Sequence, residues 1–217
     1  MTRLAVATQL PLEFNRLFAE AAPHIDFVPI PMGVPRVPDG IEVLIALPFA
    51  SADNGMRPTP PDGWPFDLRW TQLVTVGTDF YPRWFLAGPP ITSGRGNSAV
   101  ALAEFALAAI FAHAKQFHDI RVTSPAEWQR RQMKMLAGST LGLVGYGGLG
   151  QALAPRAQAL GMEVVAIRKS TAPLGPGVKR ANSLKALFEA SDHVVLGLPA
   201  TAVTRHMINA DILAYAK

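Results

Sequence analysis

The chain contains no cysteine, which excludes disulfide cross-links, thiolate nucleophiles and zinc–thiolate centres. It has no long hydrophobic run either. The most apolar stretch, "AVALAEFALAAIFAHA" at 99–114, is too short to span a bilayer and carries Glu104 midway. The opening "MTRLAVATQLPLEFNRLFAEA" is broken by Gln9, Pro11 and Glu13 where a signal peptide needs an apolar core. Charge is sparse as well, at 17% of residues with a formal net charge of +4. The basic residues are scattered, apart from pairs such as Arg130-Arg131 and Arg168-Lys169. A nucleic-acid face requires clustered Lys and Arg with aromatics beside them, and neither is present. These absences lead to the expectation of a soluble, cytoplasmic protein that binds neither membrane nor nucleic acid.

What the sequence does have is enough apolar residue, 49% of 217 positions, to bury one large core or two small ones. Composition divides it near residue 95. Fourteen of the 19 prolines precede residue 91, while the alanine runs and a glycine cluster follow. In the first part "LAVAT" (4–8), "IDFVPI" (25–30), "VLIAL" (43–47) and "QLVTV" (72–76) have the apolar character of strands, and "LEFNRLFAEA" (12–21) has helical periodicity. Alternation of strand and helix predicts a parallel α/β sheet with helices on its faces. "NGMRPTPPDGWP" (54–65) is turn-rich loop. Residues 98–117 read as one long helix, with Ser98 or Asn97 as its N-cap and eight alanines between 99 and 114 that let other backbones pack closely.

The glycine cluster is the most informative feature. In "STLGLVGYGGLG" an apolar run leads into Gly145-Tyr146-Gly147-Gly148-Leu149-Gly150, a helical segment follows to Gly161, and "EVVAI" (163–167) reads as a second buried strand. A G-x-G-x-x-G pattern alone is weak. Between a strand and a helix, inside a βαβ unit of about thirty residues, it is specific for dinucleotides. Gly145 makes the tight turn, Gly147 lets the backbone touch a pyrophosphate, and Gly150 lets helix and strand pack closely, while the helix N-terminus offers free N–H groups. A flexible linker would not be bounded by two buried strands. An Asp or Glu at the end of the second strand would hydrogen-bond the ribose of NAD. The chain instead has Arg168, Lys169 and Ser170, and two cations with a hydroxyl suit a 2′-phosphate. The expected cofactor is therefore NADP(H) rather than NAD; a solvated pair at a strand end is the plainer alternative. Pro155 stands inside the helix after the glycines and has no functional explanation in the sequence.

With these pieces in place the chain resembles the D-isomer-specific 2-hydroxyacid dehydrogenases, a family that includes glyoxylate/hydroxypyruvate reductases and phosphoglycerate dehydrogenase. "LVTVGTDFYP" (73–82) is similar to the family's substrate-side loop, and "SGRGNSAVALAEFALAAIFAHAK" (93–115) to its interdomain helix. "LGLVGYGGLGQALAPRAQALGMEVVAI" matches the cofactor motif, and "SLKALFEASDHVVLGLPATAVTRHMINADILAYAK" the segment that follows. The resemblance implies a flavodoxin-like substrate domain at 1–96 and the first half of a Rossmann-type NAD(P)-binding domain at 97–217, with the active site in the cleft between them. It implies hydride transfer between the nicotinamide and a small 2-keto or D-2-hydroxy acid. Val76 and Gly77 would approach the substrate carboxylate, and Leu198, Pro199 and Thr204 would line the nicotinamide end. Members usually dimerise through the cofactor domain, and the alanine-rich helix suits a homodimer interface. "LPFAS" (47–51) and "VGTDFYP" (76–82) would select the acid's side chain.

The family's chemistry uses an Arg that polarises the keto oxygen, a His as general acid/base and a Glu that orients it. None of the three motif positions lies within 1–217. His24, His113, His118, His193 and His206 match none of them and read as ordinary residues. The second domain reads as strands at 141–145, 163–167 and 193–198, taken as strands 1, 2 and 3 of the dinucleotide fold. That reading leaves strand 1 with an open apolar edge. The expectation is that 1–217 is part of a longer dehydrogenase or an incomplete gene product, with the catalytic residues beyond Lys217. A catalytically silent NADP-binding or dimerisation module is the alternative.

Overall fold

The structure, a computed structural model, describes residues 3–49 and 58–217. Part of the turn-rich stretch 54–65 and the end of "LPFAS" lie outside the described residues. The chain divides into two compact units, Met1–Arg95 and Gly96–Lys217.

In the first unit β1 (Leu4–Thr8), α1 (Leu12–Ala21), β2 (Ile25–Pro29), β3 (Val43–Ala46), β4 (Trp70–Leu73), α2 (Arg83–Leu86) and β5 (Ile91–Thr92) follow in order. The strands lie as β2-β1-β3-β4-β5, and all neighbours are parallel. That is the flavodoxin-like order. The central strands bury Val6, Ala7, Leu44, Ala46 and Leu73, as the apolar runs require. Pro29 is accommodated because β2 is an edge strand, where a missing N–H costs no ladder bond. The strand expected at 72–76 begins and ends earlier. Its ladder pairs Val43–Ala46 with Trp70–Leu73 and closes on the Val74 N–H, which donates to the Ala46 carbonyl at 3.2 Å, so the apolar Val76 lies outside the strand. Helices are scarce, so an aromatic cluster fills the core. Phe85 is 1% exposed and has the rings of Phe49, Trp64, Tyr81 and Trp84 between 5.1 and 5.8 Å away.

The second unit contains α3 (Ala99–Ala114), a 3-10 turn (Pro125–Glu127), β6 (Thr140–Val144), α4 (Gly148–Ala159), β7 (Glu163–Ile167), β8 (Val178–Arg180), α5 (Leu184–Ala190), β9 (His193–Leu196) and α6 (Ala210–Leu213). All neighbours in its sheet are parallel, in the order β8-β7-β6-β9. Here the sequence reading needs correction. A strand at 178–180 pairs with β7, so 193–196 is the fourth strand of the dinucleotide fold and not the third. The first strand, β6, is flanked by β7 on one side and β9 on the other, so it has no open edge. The miss has a physical reason. "VKR" has one apolar residue in three, and its extended state comes from the ladder to Val164–Ala166 rather than from local propensity.

Small residues carry the packing of this unit. Ala103, Ile110 and Ala114 of α3 meet Leu153, Ala154 and Ala157 of α4 over Leu141, Leu143, Val164 and Ala166 of the sheet. Each fully buried leucine contributes about 1.5–3 kcal/mol by leaving water. Helix α3 stops at Ala114, short of residue 117, because Gln116 adopts a positive φ of 52°. Ser98 does occupy its N-cap, without a side-chain hydrogen bond. Gly161, with φ 79°, takes up the left-handed conformation that closes α4. Helix α4 runs through Pro155, and in that turn the Arg156 guanidinium donates to the Ala152 carbonyl at 2.7 Å.

Candidate functional site: a nucleotide-binding turn

The glycine turn lies where β6 meets α4, at the carboxyl end of the sheet. Gly145 has φ 101°, and a Cβ there would stand 2.6 Å from the carbonyl oxygen of Gly197. Two ladder bonds fix this approach: Gly145 N–H donates to Ile167 at 2.9 Å, and Gly197 N–H donates to Val144 at 2.8 Å. Gly150 is buried, and a Cβ on it would come within 3.0 Å of the Gly145 carbonyl, so its lack of a side chain sets the spacing of helix and strand. Gly148 faces Ala99, with 3.6 Å from its Cβ position to that methyl group. Leu149 packs against the α3–α4 core. Gly147, the N-cap of α4, is different: nothing lies within 4 Å of its Cβ position.

Gln151 is the first residue of α4 whose N–H bonds back, to the Gly147 carbonyl at 2.9 Å. The N–H groups before it in the first turn have no intrahelical acceptor and carry the positive end of the helix dipole. An open Gly147 beside these donors is a cradle that fits a pyrophosphate, and a side chain at 147 would fill it.

Arg168, Lys169 and Ser170 follow β7 directly, with Arg168 half-buried and the other two exposed. No Asp or Glu occurs between Glu163 and Glu189. Lys179 is drawn to Glu163 at 2.7 Å and Lys185 to Glu189 at 3.8 Å, whereas no ion pair among the described residues includes Arg168 or Lys169. The sequence reading missed two residues at this corner. Tyr146 is buried, and its hydroxyl accepts the Gly175 N–H at 3.2 Å. Arg180 donates to the carbonyls of Ser170 and Ala172. The basic corner was legible in "RKS"; Arg180 arrives through the unread strand β8.

The remaining expected positions fall in ordered turns. Leu198 is half-buried against Val144, Leu187 and Phe188. Thr204 donates through Oγ1 to the Pro199 carbonyl at 2.6 Å and accepts the Thr201 N–H at 2.9 Å. Its hydroxyl proton is thus engaged in shaping the turn at 199–204. In the first unit Val76 is 50% exposed. Gly77 has its carbonyl held by the Thr75 hydroxyl at 2.8 Å, and a Cβ on Gly77 would lie 2.6 Å from an Asp79 carboxylate oxygen. Nearby, Tyr81 donates its hydroxyl to the Ala46 carbonyl at 3.1 Å, and burial raises the pKa of that phenol.

His24, His113, His118 and His206 are exposed. The rings of His113 and His193 lie 6.1 Å apart and link α3 to β9. Among the described residues no group of three or more His, Asp or Glu could hold a metal ion. No helix of the described residues is long and apolar enough to cross a membrane.

A flavodoxin-like parallel unit joined to a unit with a βαβ glycine turn and a cradle for a pyrophosphate defines a dinucleotide-binding α/β protein. The family model for the D-isomer specific 2-hydroxyacid dehydrogenase NAD binding domain matches residues 107–217, and the chain belongs to this family of oxidoreductases. The hydroxypyruvate reductase of Thermotoga maritima is 34% identical over 133 residues, which cover 60% of this chain and 43% of that enzyme. The glyoxylate reductase of Thermococcus kodakarensis is 34% identical over 129 residues, 54% of this chain and 39% of that enzyme. A glyoxylate reductase structure from Paecilomyes thermophila superposes with a TM-score of 0.77 at 23% identity, covering 100% of this chain and 71% of that one. The matches with the two reductases of known sequence take in less than half of either enzyme's length.

Proposed function

We propose that the chain serves an NADP(H)-linked oxidoreductase of the glyoxylate/hydroxypyruvate type, which moves a hydride between NADP(H) and a small D-2-hydroxy or 2-keto acid. The observation that carries the cofactor choice is the corner after β7, where Arg168 and Lys169 stand without a carboxylate and beside the Ser170 hydroxyl. A ribose diol needs an acceptor there, and a 2′-phosphate needs donors. Gly145, Gly147, Gly148, Leu149 and Gly150 hold the pyrophosphate through main-chain N–H groups. Leu198, Pro199 and Thr204 shape the wall toward the nicotinamide, and the bound cofactor supplies the hydride. Val76 and Gly77 receive the substrate carboxylate.

The second part of the reading is a homodimer through the cofactor unit. Helix α3 is apolar apart from Glu104 and His113, a composition near that of a buried helix, yet Val100, Leu102 and Phe105 are exposed, Phe105 by 74%. The extended segment after it exposes Trp128 (72%) and Met135 (73%). Patches of this kind on a soluble protein mark contact surfaces.

Fluorescence titration with NADPH and NADH tests the cofactor. The wild-type chain is expected to prefer NADPH, and Arg168→Asp with Lys169→Ala is expected to weaken NADPH by about tenfold or more. Unchanged NADPH affinity in that variant rules the assignment out. Sedimentation of the same sample reads the assembly: twice the 23.3 kDa chain mass supports the dimer, and 23.3 kDa alone removes it. Turnover of glyoxylate and hydroxypyruvate is read on the 217-residue chain, where both readings expect none, and on a longer chain that carries the family's Arg, His and Glu. Turnover in the longer chain supports the dehydrogenase, and nucleotide binding without turnover in both favours a silent binding module.

A further inference from the structure

The loop "RKSTAPLGPG" at 168–177 has two prolines and two glycines, a composition that ordinarily gives a loose surface excursion. Its main chain is nevertheless tied down from three elements. Arg180, at the end of β8, donates through Nη1 to the Ser170 carbonyl at 3.3 Å and through Nη2 to the Ala172 carbonyl at 2.7 Å. The Tyr146 hydroxyl, from the glycine turn itself, accepts the Gly175 N–H at 3.2 Å. Gln158 of α4 donates through Nε2 to the Pro176 carbonyl at 2.9 Å. Gly175 has no side chain for a steric reason: a Cβ there would come 2.5 Å from the Tyr146 hydroxyl. Pro173 and Pro176 restrict φ between these anchors.

Arg180 is the notable member. It is exposed and makes no ion pair among the described residues, while its strand neighbour Lys179 is paired with Glu163. A guanidinium carries five N–H donors. The loop carbonyls take two of them, so the charge stays fixed behind Ser170 with donors remaining.

We propose that Arg180 is a positioning residue for nucleotide selectivity. It holds the loop after β7 in the shape that presents Arg168, Lys169 and Ser170 to a phosphomonoester on the adenosine ribose, and it adds a third positive charge to that corner. This rests on the NADP(H) reading above. The advantage is preorganisation: a loop already ordered before binding escapes the entropic cost of being ordered by the ligand. A lysine at 180 would keep the charge and lose the two-pronged grip, because its three donors share one nitrogen.

The test is binding, not turnover, on the full chain and its Arg180→Ala and Arg180→Lys variants. The probes are NADPH, NADH, adenosine 2′,5′-bisphosphate and ADP. R180A is expected to weaken NADPH and adenosine 2′,5′-bisphosphate by about tenfold, leaving NADH and ADP within about twofold. R180K is expected to recover only part of the loss. Equal weakening of all four probes, full recovery in R180K, or wild-type NADPH affinity in R180A overturns the proposal. Failure of the cofactor reading is separately visible: there, the double variant at 168 and 169 leaves NADPH binding unchanged.

Discussion

Phe85 and Ala157 are both sealed from solvent, one in each unit, at 1% and 0% exposure. Around Phe85 the cover of the sheet is made by ring area. Among the described residues the helices of that unit are α1 and the four-residue α2, and the space they leave is filled by tryptophan, tyrosine and phenylalanine side chains. Around Ala157 the cover is made by main chain brought close, with alanines of α3 and α4 against each other and a glycine where α4 leaves the sheet. Side-chain length covers a sheet when helices are few. Close backbone approach suits a turn proposed to bind through its backbone, since N–H groups can meet a phosphate only if no side chain stands between.

Three substitutions bear on that contrast, in decreasing order of effect. Phe85→Ala removes the ring at the centre of the aromatic cluster and is expected to cost about 3–5 kcal/mol, with hydrogen exchange rising in β1, β3 and β4 while β6, β7 and β9 keep their protection. Equal loss in both sheets would show that the units do not stand separately. Ala157→Leu tests the opposite material: overpacking a close helix contact is expected to cost about 1–3 kcal/mol, read as a lowered urea midpoint of the second unit and weaker nucleotide binding. A neutral result would mean that α3 and α4 can move apart freely.

The third is a pH effect. Burial first, and the nearness of His113 second, hold the His193 imidazole below its ordinary value of 6.5, with Lys134 acting in the same direction and Asp192 against it. Folding therefore favours neutral His193. Its contribution to stability is fully present above pH 6.5 and is lost as the pH falls from there through the lowered native value. His193→Gln is expected to flatten the decline of the melting temperature in that window. An unchanged slope would assign the decline to another group.

The strand readings held where the run supplies core: 4–8 buries Val6, Ala7 and Thr8, and 163–167 buries Val164 and Ala166. The helix at 12–21 held on its period alone, since Asn15 is the one residue of it that is buried. The reading failed where the cause is tertiary. Val178–Arg180 is a strand because β7 offers a ladder, and no local pattern in three residues announces that. Gln9 was legible only as a break in an apolar run. In the fold it is 1% exposed, and its amide ties the end of β1 to two loops by bonding the carbonyls of Pro31 and Gly33 after β2 and the N–H of Leu47 after β3. The glycine turn was legible because its spacing is local. Arg180 was not, since its partners at 170 and 172 are reached only by folding β8 back onto β7.

The glycines of the turn are unequal in what a random mutation can do to them. At 145 two independent objections hold, a φ of 101° and the Gly197 carbonyl 2.6 Å from any Cβ. A second change that relieved the contact would still leave the strained backbone, so no single compensating step opens a path away from glycine. At 148 the Cβ position lies 3.6 Å from the Ala99 methyl, an ordinary contact, and alanine is one nucleotide change away. Over evolutionary time the motif can drift to alanine at its fourth position, Gly148, while Gly145 stays fixed.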